Sequence, residues 1–159
     1  MIRLKISWKP LLLCLAVPLA VGGVSAYLTM DSMQDYASLQ QPPLSPPGWV
    51  FPVVWTILFL LMGAASYLVL MSSAPADQKE MALRIYGLQL AVNFCWPLLF
   101  FRVQAFWVAF VWLILLWALI LLTIQQFGKI EKRSAYLLVP YLIWVTFAGY
   151  LNFGVAMLN

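Results

Sequence analysis

Two sets of side chains in this chain have the types and the spacing to hold a small molecule. Tyr86, Gln89, Asn93, Trp96 and Phe100 recur at intervals of three and four residues, which puts them on one face of a helix. Tyr141, Trp144, Ala148 and Asn152 repeat the pattern near the C-terminal end, just after Pro140. Indoles, phenols and carboxamides offer flat stacking surfaces and fixed hydrogen-bond donors. They suit a planar ligand that carries a carbonyl or carboxylate. None of them resembles a general base with a tuned pKa. Histidine is absent, and the two cysteines, Cys14 and Cys95, lie in apolar segments. No metal site, haem axial histidine or Cys–His nucleophile can be assembled from this inventory. A conventional hydrolase or kinase is therefore disfavoured.

Both faces have two readings. Gln89 and Asn93 cannot face hydrocarbon, because an unpaired amide there costs several kcal/mol. They either join helices to one another or line a cavity and orient a ligand. Ala148 and Gly149 either let helices pack closely or leave space between an indole and an amide. The Trp144 N–H wants a partner when buried. Trp55 lies about two turns inside another apolar run, with Phe59 about one turn deeper. Trp8, Trp49 and Trp107 suit an interfacial aromatic belt. Trp112 and Trp117 can face lipid. Pro97 predicts a kink beside Trp96.

The elements that must position these residues are apolar and long. Stretches at about 11–30, 50–71, 81–101, 105–127 and 135–158 each approach the ~20 residues needed to cross a bilayer. The 159-residue chain is 65% hydrophobic and 9% charged, against about 25% charged in a soluble domain. The expectation is an all-α bundle of five transmembrane helices, a single domain over 1–159, with no internal repeat. Arg3, Lys5 and Lys9 precede an apolar run and Val24-Ser25-Ala26, which has the shape of a secretory signal. The run continues to Met30, so an uncleaved first helix is expected.

Basic residues orient the bundle. Arg3, Lys5, Lys9, Lys79, Arg84, Lys129, Lys132 and Arg133 fall on one side if all five stretches span, and only Arg102 falls on the other. The positive-inside rule then makes the N-terminus cytoplasmic. The bases act as topology signals, and no nucleic-acid partner is expected. The loop over 31–48 holds four prolines between Pro42 and Pro47. Proline fixes φ and lacks an N–H, so the loop is stiff. It lies over the mouth of the bundle as a lid.

The motif Tyr36-x-x-Leu39-x-x-Pro42-x-x-x-Pro46-Pro47-Gly48, followed by Trp55, opens a longer pattern. Next come Gln89-Leu90-x-x-Asn93-x-x-Trp96 and Pro140-Tyr141-Leu142-x-Trp144-x-x-Phe147-Ala148-x-x-Leu151-Asn152. In this order the motifs resemble the TspO/MBR family of tryptophan-rich sensory and translocator proteins. The first helix adds little beyond Gly22-Gly23. The resemblance implies a five-helix bundle in lipid, usually a homodimer, with a pocket under the first loop. Family ligands include porphyrins and haem, sterol in animals, and benzodiazepine-type and isoquinoline carboxamide drugs. Porphyrin or haem would be a ligand, not a resident cofactor.

Carried over by position, Tyr36, Pro46 and Trp55 would line the top of the pocket. Asn93, Trp96, Tyr141, Trp144 and Ala148 would line its walls, with Trp55 and Trp144 as donors. Two departures stand out. Asp35 replaces the Trp that many bacterial members have before the loop Tyr. No base follows Arg133, so the C-terminal sterol motif of animal members is absent. The implied function is a receptor or regulator, with a transporter or a light-dependent porphyrin-degrading enzyme as alternatives. The expected location is a bacterial inner membrane.

Overall fold

The computed structural model describes residues 6–159. α1 (Trp8–Thr29) leads through a 3₁₀ turn into a short α2 (Met33–Ser38). Then follow α3 (Val50–Leu70), α4 (Ala76–Pro97), α5 (Phe106–Ile130) and α6 (Lys132–Leu158). Among the described residues, five helical segments are long and apolar enough to cross a membrane. In lipid every backbone amide must be satisfied within its own segment, which such helices achieve. The protein is a multi-pass integral membrane protein.

Helix ends depart from the apolar stretches where polar residues continue a helix. α4 starts at Ala76, because Asp77-Gln78-Lys79-Glu80 is helical too, with Asp77 in the first turn. An acid there favours the free amides of a helix start. Only Glu131 separates α5 from α6, in extended conformation at φ −151° and ψ 112°. Its carboxylate accepts from the Arg133 backbone N–H at 3.3 Å and from Nε at 3.0 Å. These bonds hold the Glu131 carboxyl below the usual range. The first loop is not all irregular, since α2 occupies its first part.

The topology puts the described basic residues where the alternation of spans requires. Ser7 N–H donates to Tyr67 Oη at 2.9 Å, joining the start of α1 to the end of α3. Arg102 Nη1 reaches Leu28 O at the opposite end of the bundle. Arg3 and Lys5 lie outside the described residues.

Lipid supplies no hydrophobic drive between helices, so close packing and interhelical hydrogen bonds must hold the bundle. A Cβ on Gly63 of α3 would lie 2.7 Å from Cys14 O and Leu15 Cα of α1, so only glycine permits this approach. Side chains also reach backbone carbonyls across the bundle. Ser25 Oγ donates to Phe94 O at 3.1 Å, Trp112 Nε1 to Val92 O at 2.7 Å and Ser134 Oγ to Ala65 O at 2.9 Å. Trp112 is thus turned toward α4, whereas Trp117 is exposed and bonds Thr146.

Pro97 changes the end of α4. It has no N–H to give to the carbonyl four residues back. The next amide, Leu98 N–H, turns to Cys95 O, while Phe94 O takes Ser25 Oγ. The chain continues as a π-helical turn over Leu98–Arg102, closed by Val103 N–H to Leu98 O at 2.9 Å. The kink expected from Pro97 thus takes the form of a widened turn.

Candidate ligand site beneath the first loop

The π turn sets the aromatic geometry. Trp96 and Phe100 stack at 5.1 Å between ring centroids, and Phe101 packs edge-on against both, 5.9 Å from Trp96 and 4.9 Å from Phe100. The wider turn brings Phe101 to the side that an α-helix would give to Phe100 alone. α2 lowers Tyr36 onto this cluster. Its ring is buried, 5.3 Å from Phe101, 5.8 Å from Phe100 and 6.0 Å from Phe51 at the start of α3. Phe51 in turn meets Trp144 of α6 edge-on at 6.0 Å. One turn below Phe51, Trp55 stacks on Phe59 and meets Tyr141 edge-on at 6.1 Å.

The expected site residues divide by what their polar atoms do. Asn93 Nδ2 donates to Tyr141 Oη, and Tyr141 Oη donates to Gln89 Oε1 at 2.7 Å. Trp96 Nε1 donates to Asn152 Oδ1 at 3.0 Å, while Asn152 Nδ2 donates to Phe106 O at 2.9 Å. These groups are buried and satisfied by one another. Of the two readings left open for the amides, helix joining describes their bonds here. Trp144 differs: its Nε1 is buried and has no hydrogen-bond partner among the described residues. Tyr86 Oη shares that condition, lower on α4, where its ring packs 5.7 Å from Phe127.

Tyr36, Trp96 and Trp144 therefore belong to one set of ring contacts. Trp55 and Tyr141 form a second with Phe59, to which Asn93 is bonded through Tyr141. Both sets lie in the same hydrophobic core. Ala148 is buried on α6 one turn beyond Trp144. Pro46 is partly buried in the lid and belongs to none of these ring contacts. Phe51 and Phe101 had not been anticipated. Phe51 could have been found, since 51, 55 and 59 share a helical face. Phe101 could not, because its direction depends on the π turn. The space beneath Tyr36 is filled by rings, so a ligand entering there must move them. A separate apolar groove of about 340 Å³ opens outward between α5 and α6, lined by Phe110, Trp117, Gly149 and Phe153 among others.

Tyrosine from the first loop, tryptophans from three helices and the Asn93–Tyr141 and Trp96–Asn152 bonds between α4 and α6 occupy the positions of the motifs quoted above. The sequence profile of the TspO/MBR family matches residues 14–158. The chain belongs to the TspO/MBR family. It is 39% identical over 150 residues to "Tryptophan-rich protein TspO" of Chlorobaculum tepidum, covering 94% of this chain and 95% of that one. It is 34% identical over 156 residues to "Tryptophan-rich sensory protein" of Cereibacter sphaeroides, covering 98% and 95%. It is also 34% identical over 148 residues to "Translocator protein" of Ovis aries, covering 92% and 88%. TspO/MBR membership extends over nearly the whole chain, so the first loop and both sets of rings fall within the family's span.

Proposed function

We propose that this TspO/MBR protein is a membrane receptor or regulator that binds tetrapyrroles and similar planar hydrophobic ligands beneath the first loop. The observation that carries the proposal is the Trp144 indole N–H, buried beside Phe51 and without a hydrogen-bond partner among the described residues. A buried donor left unpaired costs about 1–3 kcal/mol, and a ligand carbonyl or carboxylate would recover that cost. The neighbouring rings would stack on a flat ligand. Tyr36, Pro46, Trp55, Asn93, Trp96, Tyr141, Trp144 and Ala148 form the site in this proposal, and drug-like isoquinoline carboxamides and benzodiazepines fit the same chemistry. The proposal includes a homodimer in a bacterial inner membrane with the N-terminus in the cytoplasm. The basic residues gathered at one end of the bundle support that orientation.

The name "Translocator protein" among the relatives favours transport of such ligands as a second reading. Titration of the purified protein with protoporphyrin IX and with haem, in the dark and in light, separates the possibilities. Saturable quenching of tryptophan fluorescence in the dark is expected. Absence of saturable binding to both would reject the receptor reading. Turnover to a defined product in light, lost when Trp55 or Trp144 is replaced, would make the protein an enzyme instead. Uptake into sealed vesicles would favour transport.

A further inference from the structure

The lid is fastened to α6 at three points, in antiparallel order. Gln40 N–H donates to Asn159 Oδ1 at 3.2 Å, and Asn159 Nδ2 donates back to Gln40 O at 2.8 Å. Pro42 is the one buried proline of the loop and lies against Gly154. A Cβ on Gly154 would stand 2.5 Å from both Cβ and Cγ of Pro42, so the contact requires glycine there. Tyr150 Oη donates to Pro43 O at 2.8 Å. Beyond Pro43 the loop bonds to itself and not to α6, with Ser45 Oγ donating to Pro42 O at 2.7 Å. Leu44 is 82% exposed and sits at φ 70°, a left-handed conformation that a residue with a Cβ adopts at a cost. Around Gly48 nothing lies within 4 Å of where a Cβ would be.

We propose that Tyr150, Gly154 and Asn159 form a latch that holds the lid shut, and that its release sets the rate of ligand exchange. The second half of the proposal rests on the ligand-site reading above. The same helix carries Tyr141, Trp144 and Ala148, so the wall of the site and the fastening of its lid belong to one rigid element. Tyr36 is seated by this arrangement. Its own backbone carbonyl takes Gln41 Nε2 at 3.2 Å, next to the first latch point. Opening the latch frees the segment on both sides of Gln41, and the Tyr36 ring can leave Phe51, Phe100 and Phe101. Strain held at Leu44 while the latch is closed assists release.

Two measurements on the full chain in detergent micelles test this. The first needs no ligand: hydrogen–deuterium exchange of the amides from Tyr36 to Gln41. Gly154→Ala improves helix propensity in α6 while pushing Pro42 off its seat. Tyr150→Phe with Asn159→Ala removes the hydrogen bonds and leaves the glycine. Both variants should exchange about tenfold faster over this segment, while amides inside α4 keep their parent protection. The second measurement is the release of protoporphyrin IX into excess scavenger, expected to quicken by a similar factor.

A cross-link supplies the opposite arm. Pro42→Cys with Gly154→Cys, in a chain carrying Cys14→Ala and Cys95→Ala, should release the porphyrin more slowly when oxidised than when reduced, the reduced form having lost the Pro42–Gly154 seat. Unchanged exchange in both latch variants would overturn the latch. Equal release from oxidised and reduced cross-linked protein would overturn its control of the site. If the parent binds no protoporphyrin, the ligand reading fails, and amide exchange still decides whether the latch exists.

Discussion

Trp96 Nε1 donates to Asn152 Oδ1 at 3.0 Å, and both residues are buried. Asn152 also donates to Phe106 O. A single carboxamide thus ties α4, α5 and α6 together at the level where Pro97 has widened the backbone of α4. The Trp96 N–H is engaged by this bond, whereas the Trp144 N–H is not.

Replacing Asn152 by Leu keeps the volume and removes both bonds. The Trp96 N–H and the Phe106 carbonyl would then be buried without that partner. A loss of about 1–3 kcal/mol is expected, toward the low end because the unfolded state in a membrane mimetic finds partners of its own. Unfolding in mixed micelles with increasing SDS measures it. A midpoint equal to that of the parent would show that the bridge does not hold the bundle.

Tyr141 both accepts from Asn93 and donates to Gln89, so the three should act as a unit. Tyr141→Phe and Asn93→Ala should each destabilise by about 1 kcal/mol, and the double variant by clearly less than the sum. Full additivity in the same unfolding assay would mean that the bonds are not coupled.

Trp144 should behave in the opposite way. Trp144→Phe removes a donor that has no hydrogen-bond partner among the described residues. The relief of that cost offsets the packing lost with the smaller ring, so stability should not fall by more than about 1 kcal/mol. Affinity for protoporphyrin IX should fall about tenfold if that donor holds a ligand oxygen. Ala148→Leu tests free volume in place of a hydrogen bond, and should block binding while the protein still folds, at a cost of about 1–3 kcal/mol because Ala148 is buried. Parent-like binding by both variants, measured by fluorescence quenching, would put the ligand elsewhere.

The orientation can be checked without a ligand. In a cysteine-free background, Ser45→Cys should react with a membrane-impermeant maleimide only from outside the cytoplasm, and Lys132→Cys only from inside. Labelling of position 45 from the cytoplasmic side alone would reverse the bundle.

Much of the fold was written in local composition. Apolar runs of bilayer length must be helical, because no water remains to satisfy the backbone. The spacing of Gln89, Asn93 and Trp96, and of Tyr141, Trp144 and Asn152, fixed which side of each helix faces inward. Proline placement marked both the lid and the irregular end of α4. What the local pattern could not assign was partnership. Trp96 and Trp144 look alike in the sequence, each an inward indole on a face that also carries a carboxamide. Which of them is bonded depends on the depth and crossing of helices separated by 56 residues at the Trp96–Asn152 contact. The inward turn of Phe101 and the seating of Pro42 on Gly154 are likewise set across the bundle. Periodicity along one helix determines a face, but a hydrogen bond or a close approach also needs the height and angle of the neighbouring helix, which only tertiary packing supplies.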